Sequence, residues 1–196
     1  MKRLSIFIIG ILFLGLVSSC GKSNTSSLPE NISLETLLPD LDAYGFTNNK
    51  KTIISKDQYE KIVAQFKVSK QDLDKMNFPL ETAKGNYNQK GNYLLLSISK
   101  FKNNNKAVQE FEKQKQQASE QKDNANFQKA MKISDYSVKN VMINGNNGYS
   151  YKYKMAQYYK YMLIWPKGVY TFQIEHTGNE SWEEQKALEI AKEMNY

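Results

Sequence analysis

The sequence predicts an α+β fold: a mainly antiparallel sheet of about six strands with helices packed on it, in one domain. Three observations predict it. Two turn-rich strings, Asn88-Gln89-Lys90-Gly91 and Asn144-Gly145-Asn146-Asn147-Gly148, each separate runs of strand-forming residues. Tyr149 to Met155 alternates with the two-residue period of a half-buried strand. Ser55-Lys56-Asp57-Gln58 and Ser181-Trp182-Glu183-Glu184 have the pattern of helix capping boxes, each ahead of an apolar stripe.

The elements follow in chain order. Leu34, Leu37, Leu38 and Leu41 have helical spacing broken by Pro39, which predicts a short helix or turn packed on the body. The helix capped by Ser55 runs to Lys67 with Tyr59, Ile62, Val63 and Phe66 as its apolar stripe, and a second short helix spans Gln71 to Met76 before Pro79. Thr82 to Tyr87 and Tyr93 to Phe101 form a hairpin. The uninterrupted Tyr93-Leu94-Leu95-Leu96 reads as a central strand buried on both faces. Asn103-Asn104-Asn105 supplies an N-cap for a helix from about Lys106 to Lys122, with Ala107, Val108, Phe111 and Ala118 inward and a solvated Gln/Glu/Lys face outward. Residues 123–136 fit no single period. Val138 to Ile143, Tyr149 to Met155, Tyr158 to Trp165 and Val169 to His176 then form a four-stranded meander. A last helix ends near Met194, with Ala187, Ile190, Ala191 and Met194 on one face.

Turn lengths set the register of the meander. A two-residue turn at Ala156-Gln157 pairs Tyr151 with Met162, and a three-residue turn at Pro166-Lys167-Gly168 pairs Met162 with Phe172. One face then carries Tyr149, Tyr151, Tyr153, Met162, Ile164, Tyr170, Phe172 and Ile174, a core face. The other carries Lys152, Lys154, Tyr159, Tyr161, Leu163, Trp165, Thr171, Gln173 and Glu175. Aromatics interleaved with lysines make Lys152, Lys154, Tyr159, Tyr161 and Trp165 the candidate binding face. The alternative is that a helix covers Leu163 and Trp165 while the lysine stems lie along the rim.

Composition excludes several chemistries. The single cysteine, Cys20, rules out intramolecular disulfides and cysteine zinc sites in this chain, and the single histidine, His176, leaves no His-His metal pair. His176 reads as an edge or surface residue, since its neighbour Glu175 faces the other side of a regular strand. No nucleophile elbow, phosphate-cradling glycine loop or His-Glu-x-x-His string is present. The expectation is therefore a non-enzyme with no cofactor and no metal. Beyond residues 1–19 there is no arginine, and 25 lysines face 20 acidic residues, a net charge of +5. Without guanidinium forks or a dense basic stripe, nucleic acid is not an expected partner.

The N-terminus carries the specific motif. Lys2 and Arg3 precede 13 mostly apolar residues, Leu4 to Leu16. That is short of the roughly 20 residues that span a bilayer, and it reads as the core of a signal peptide. Leu16-Val17-Ser18-Ser19-Cys20-Gly21 then resembles the lipobox of bacterial lipoproteins, with Val17 where leucine is commoner. The resemblance covers residues 1 to 21. It implies cleavage between Ser19 and Cys20, a diacylglyceryl group on the Cys20 thiol, and acylation (palmitate-type) of the new terminus. Each buried CH₂ contributes about 0.8 kcal/mol, so two chains anchor stably. Residues 20–30 form a Ser/Asn-rich tether and 31–196 the domain.

From Glu81 to Met194, the order hairpin, helix, Tyr-rich meander and final helix resembles the PsbP-like fold of several bacterial lipoproteins. That resemblance implies binding or assembly factors rather than enzymes. The expected function is a membrane-tethered extracytoplasmic lipoprotein, on the cytoplasmic or outer membrane, acting as a non-catalytic binding or assembly module. Its partner would be an envelope protein or an anionic glycan or lipid. Two alternatives stay open: a lipid or glycolipid carrier or sensor with a cavity between sheet and helix, and an immunity or inhibitor lipoprotein.

Overall fold

The alternating strands build one seven-stranded antiparallel sheet in the computed structural model, which describes residues 28, 32–65, 76–179 and 184–194. The signal segment, Ser19, Cys20, Phe66, the helix read from Gln71 and the Ser181 capping residues lie outside the described residues. The strands are β1 (Thr47–Ser55), β2 (Glu81–Gln89), β3 (Asn92–Lys100), β4 (Ile133–Ile143), β5 (Asn146–Met155), β6 (Tyr158–Lys167) and β7 (Tyr170–Gly178). Their order across the sheet is β1-β2-β3-β7-β6-β5-β4, so the meander is intact and β7 joins it to the hairpin. The helices are α1 (Lys56–Ala64), α2 (Asn104–Asp123), α3 (Ala125–Ala130) and α4 (Glu184–Glu193). Two 3-10 turns, Leu34–Leu37 and Asp42–Tyr44, precede β1.

Local chemistry explains the boundaries. The Ser55 hydroxyl accepts from the Gln58 amide at 3.4 Å while Gln58 Oε1 accepts from the Ser55 amide at 2.8 Å, a closed capping box on α1. Asn103 and Asn124 cap α2 and α3 through their side-chain oxygens, at 3.0 and 2.9 Å. The hairpin turns are tight: Lys90-Gly91 and Asn144-Gly145 both hold positive φ at two successive residues, the conformation that matches strand twist.

The main core fills one face of the sheet. Leu34, Leu37, Leu38, Leu41 and Phe46 cover it from the N-terminal side, and Ala187, Ile190, Ala191 and Met194 cover it from α4. Beneath them lie Leu94, Leu96, Ile98, Leu163, Trp165, Phe172 and Ile174. Leu28, read as tether, is half-buried against this cluster. The Tyr87 hydroxyl donates to the Pro39 carbonyl at 2.8 Å and ties the N-terminal segment to β2. On the opposite face α2 lies across β4, β6 and β7, and Phe111 and Ala118 meet Tyr149, Met162 and Ile164 in a smaller cluster.

Several expectations are corrected. β1 is a seventh strand; its Thr-Asn-Asn-Lys-Lys sequence is the polar, lysine-bearing chemistry of a sheet edge rather than an apolar alternation. Tyr93 is exposed and Leu95 half-buried, so β3 is fully covered on the core face alone. Val108 faces outward on α2, and Ile62 is exposed on α1. The β6–β7 turn is Gly168-Val169, and Trp165, not Met162, pairs with Phe172. That displacement of three residues is odd-numbered, so it exchanges the faces of β7. Tyr170, Phe172 and Ile174 share the core face with Tyr161, Leu163 and Trp165, while Thr171, Gln173 and Glu175 face α2. His176 follows the same exchange and is buried on the core face between Tyr161 and Leu94.

Gly148 shows how closely the strands approach. A Cβ there would sit 2.7 Å from the Ile164 carbonyl oxygen and 3.1 Å from Trp165 Cβ. Backbone cannot swing aside as a side-chain tip can. Gly148→Ala is expected to cost about 1–3 kcal/mol by overpacking, read as a lowered midpoint in urea unfolding. An unchanged midpoint would show that β5 and β6 separate freely at this point.

Candidate functional site

The face picked out from the sequence is split by the structure. Trp165, Tyr161 and Leu163 belong to the core, with exposures of 0%, 2% and 0%, so they form no open binding surface. Trp165 stacks on Phe172 at 5.3 Å, and its indole Nε1 has no hydrogen-bond partner among the described residues. The N-terminal leucines and α4 cover this face, which is the arrangement in which the lysines occupy the rim. Lys152, Lys154 and Tyr159 do gather there, beside the edge of Tyr161, around a pocket of about 220 Å³ that Asp135, Tyr153 and Lys160 also line. Lys154 Nζ lies 5.3 Å over the Tyr159 ring. Lys160 is paired with Glu175 at 2.7 Å. The pocket is a small, partly neutralised rim.

A larger site lies on the opposite face. α2 covers only part of the sheet, leaving a trough along its flank. One lobe, about 440 Å³, is floored by Thr82, Lys84, Leu95, Ser97, Ser99 and Thr171 and closed at one end by Tyr59 and Phe78. A second lobe, about 370 Å³, runs beneath Gln117, Ala118 and Gln121 against Tyr149, Tyr151 and Met162. Glu110, Gln114, Ile164 and Gln173 line both lobes, so the two adjoin along the flank of α2.

The sequence builds this lining by periodicity. Alternate residues of β2, β3 and β7 put hydroxyl and amide groups on the face away from the core, while Ala83, Ile98, Phe172 and Ile174 point into it. On α2, residues 110, 114, 117 and 121 recur at three- and four-residue steps and line the same flank. The Asn77 amide donates to the Lys106 carbonyl at 2.7 Å and fixes the mouth of the trough to the start of α2. Tyr59 and Phe78 stack at 6.4 Å beside it.

The charged and polar groups are largely paired. Gln114 Nε2 donates to Glu110 at 3.0 Å, and Gln173 Nε2 donates to Glu175 at 3.4 Å. Glu175 also holds Lys160. Thr82 and Ser99 share a hydrogen bond of 2.8 Å. Tyr136, Tyr151 and Tyr153 stack in near-parallel pairs beyond Tyr149. Burial raises the pKa of Tyr149 and Tyr151, and it pushes Tyr136 up to about 12, with Tyr153 adding to the shift. All three are protonated hydrogen-bond donors at neutral pH. Among the described residues no group of three His, Cys, Asp or Glu side chains is placed to hold a metal ion.

The sequence held a signal for this trough that composition obscured. The Gln114, Gln117, Gln121 stripe reads as ordinary solvated helix, and the register expected from a three-residue turn puts Thr171, Gln173 and Glu175 on the opposite side of the sheet. Together the fold and the site define a class: an antiparallel α+β domain with a closed core on one face and an open polar trough on the other. No protein-family model matches the chain, and no curated protein matches it. Among solved structures, it aligns with the extracellular domain of PknH from Mycobacterium tuberculosis at a TM-score of 0.44 and 10% identity, over 83% of this chain and 94% of that one. No helix among the described residues is long and apolar enough to cross a membrane.

Proposed function

We propose that the chain is a bacterial lipoprotein anchored through Cys20 on the extracytoplasmic side of a membrane, and that its domain is a non-catalytic binding module whose ligand sits in the trough. The observation that carries the module is the trough itself, a preformed channel whose carboxylates are each already held by a neighbouring amide. Groups held in this way can orient a ligand through their remaining acceptor sites. The tether rests on the apolar run Leu4 to Leu16 and on Cys20 closing the lipobox-like string.

The polar floor also selects among ligands. An acyl chain laid over Ser97 and Thr171 would strip water from their hydroxyls and return no hydrogen bond, at about 1–3 kcal/mol for each orphaned group, whereas Thr82 and Ser99 already bond to each other. That favours a polar ligand over a lipid tail.

Cys20→Ala tests the anchor. The parent chain is expected to incorporate labelled fatty acid and to sediment with membranes in high salt. The variant is expected to lose the label and appear in the soluble fraction, because one missing thiol removes both acyl attachments that follow from it. A variant that stays with membranes in high salt overturns the tether.

A further inference from the structure

We propose that the trough binds an extended oligosaccharide; the inference rests on reading the domain as a binding module. Four observations point to this chemistry. First, the lining is built of groups that both donate and accept. Gln114, Gln117, Gln121 and Gln173 present amides, and Ser97 and Thr171 present hydroxyls. A polyol needs both kinds of partner, since each of its hydroxyls does both. Second, the carboxylates of the lining are already engaged, Glu110 by Gln114 and Glu175 by Gln173 and Lys160, so a ligand meets amides, hydroxyls and the ammonium groups of Lys84 and Lys113.

Third, aromatic rings stand at both ends. The half-buried Tyr151 lines one lobe, and the half-buried Tyr59 closes the other. The C–H faces of sugar rings carry partial positive charge and rest on the negative faces of aromatic rings. Fourth, Tyr149 is fully buried in the trough wall, and its hydroxyl has no hydrogen-bond partner among the described residues. A buried donor without a partner is uncommon, and a ligand hydroxyl reaching the wall would supply one.

The dimensions agree. From Glu110 to Gln121 the flank of α2 measures about 16 Å at the helical rise, a length that suits a chain of sugars rather than one. A peptide is the weaker fit. The trough lies on a sheet face and not along an edge, so it offers no row of main-chain groups for strand addition.

The test is calorimetric titration of the full acylated chain, held in a detergent without a sugar headgroup. The probes are β-1,4-linked N-acetylglucosamine and glucose oligomers of increasing length. Affinity is expected to rise with length and level off once the trough is filled. Gln114→Ala with Gln173→Ala is expected to weaken binding about tenfold, and Gln117→Trp, at an exposed position, to block the channel without unfolding the domain. Tyr149→Phe carries a second readout: binding weakens several-fold while the free chain melts at a higher temperature, because the orphan hydroxyl is gone. Saccharide binding that survives these variants overturns the site. Absence of saccharide binding, with hits from a random peptide library that Gln117→Trp abolishes, overturns the ligand class and leaves the module. No binding by either class overturns both.

Discussion

Replacing Trp165 by alanine is expected to destabilise the domain by about 3–5 kcal/mol, the range for emptying an aromatic site in a packed core. Its indole is fully buried, lies flat on Phe172 and sits beneath the helix and leucines that close the core. For a domain of this length each kcal/mol lowers the thermal midpoint by about 2–4 °C, so the fall is on the order of ten degrees. Trp165→Phe separates the contributions. It keeps much of the stack and removes the unpartnered indole N–H, so it is expected to cost less than half as much. Thermal unfolding followed by circular dichroism reads both variants. A Trp165→Ala chain that melts with the parent would return this residue to the surface role its sequence neighbours suggest.

The second large effect is a pH dependence carried by one side chain. Burial, and next the Lys186 ammonium on α4, push His176 from its ordinary 6.5 down to about 4. The folded state therefore favours the neutral imidazole. Between about pH 4 and 6.5 the unfolded chain binds a proton that the folded chain refuses, so stability rises with pH across that window. Above it the group contributes no slope. Below it both states are protonated, and the accumulated loss is up to about 3 kcal/mol. His176→Gln does not titrate, so its urea-unfolding free energy is expected to fall less between pH 6.5 and 4 than that of the parent. Carboxylates affect both chains alike and cancel in the comparison. Parallel profiles would show that His176 takes up its proton without leaving the core.

The parts of the fold legible in the sequence were those written in local chemistry. The Ser55 box, the Asn103 cap, the Lys90-Gly91 and Asn144-Gly145 turns and the Ala156-Gln157 turn each depend on a few adjacent residues, and each formed where the residues specify it. β7 was different. Pro166-Lys167-Gly168 has turn chemistry, yet Pro166 lies in the β6 ladder opposite Thr171. Proline is tolerated there because the ladder between β5 and β6 ends at Tyr149 and Ile164, leaving no strand to receive the missing N–H. That choice depends on a neighbouring strand, and it carried Trp165 into the core and Thr171, Gln173 and Glu175 into the trough. β1 was missed for a related reason. An edge strand has polar residues by necessity, and its pairing with β2 joins Ser55 to Glu81 across 25 intervening residues, which local patterns do not bridge.

The sheet also acts as a partition. Leu28, the 3-10 turns and α4 lie on its core side, and the trough lies on the other. For a chain held at Cys20, the eight residues to Leu28 are a leash of at most about 28 Å, and that leash joins the body on the side away from the trough. The binding channel can then point outward while the opposite flank rides above the bilayer. Under the proposed anchor, a ligand of the trough would have to lie within a few tens of ångströms of the membrane surface, and more distant material would be out of range.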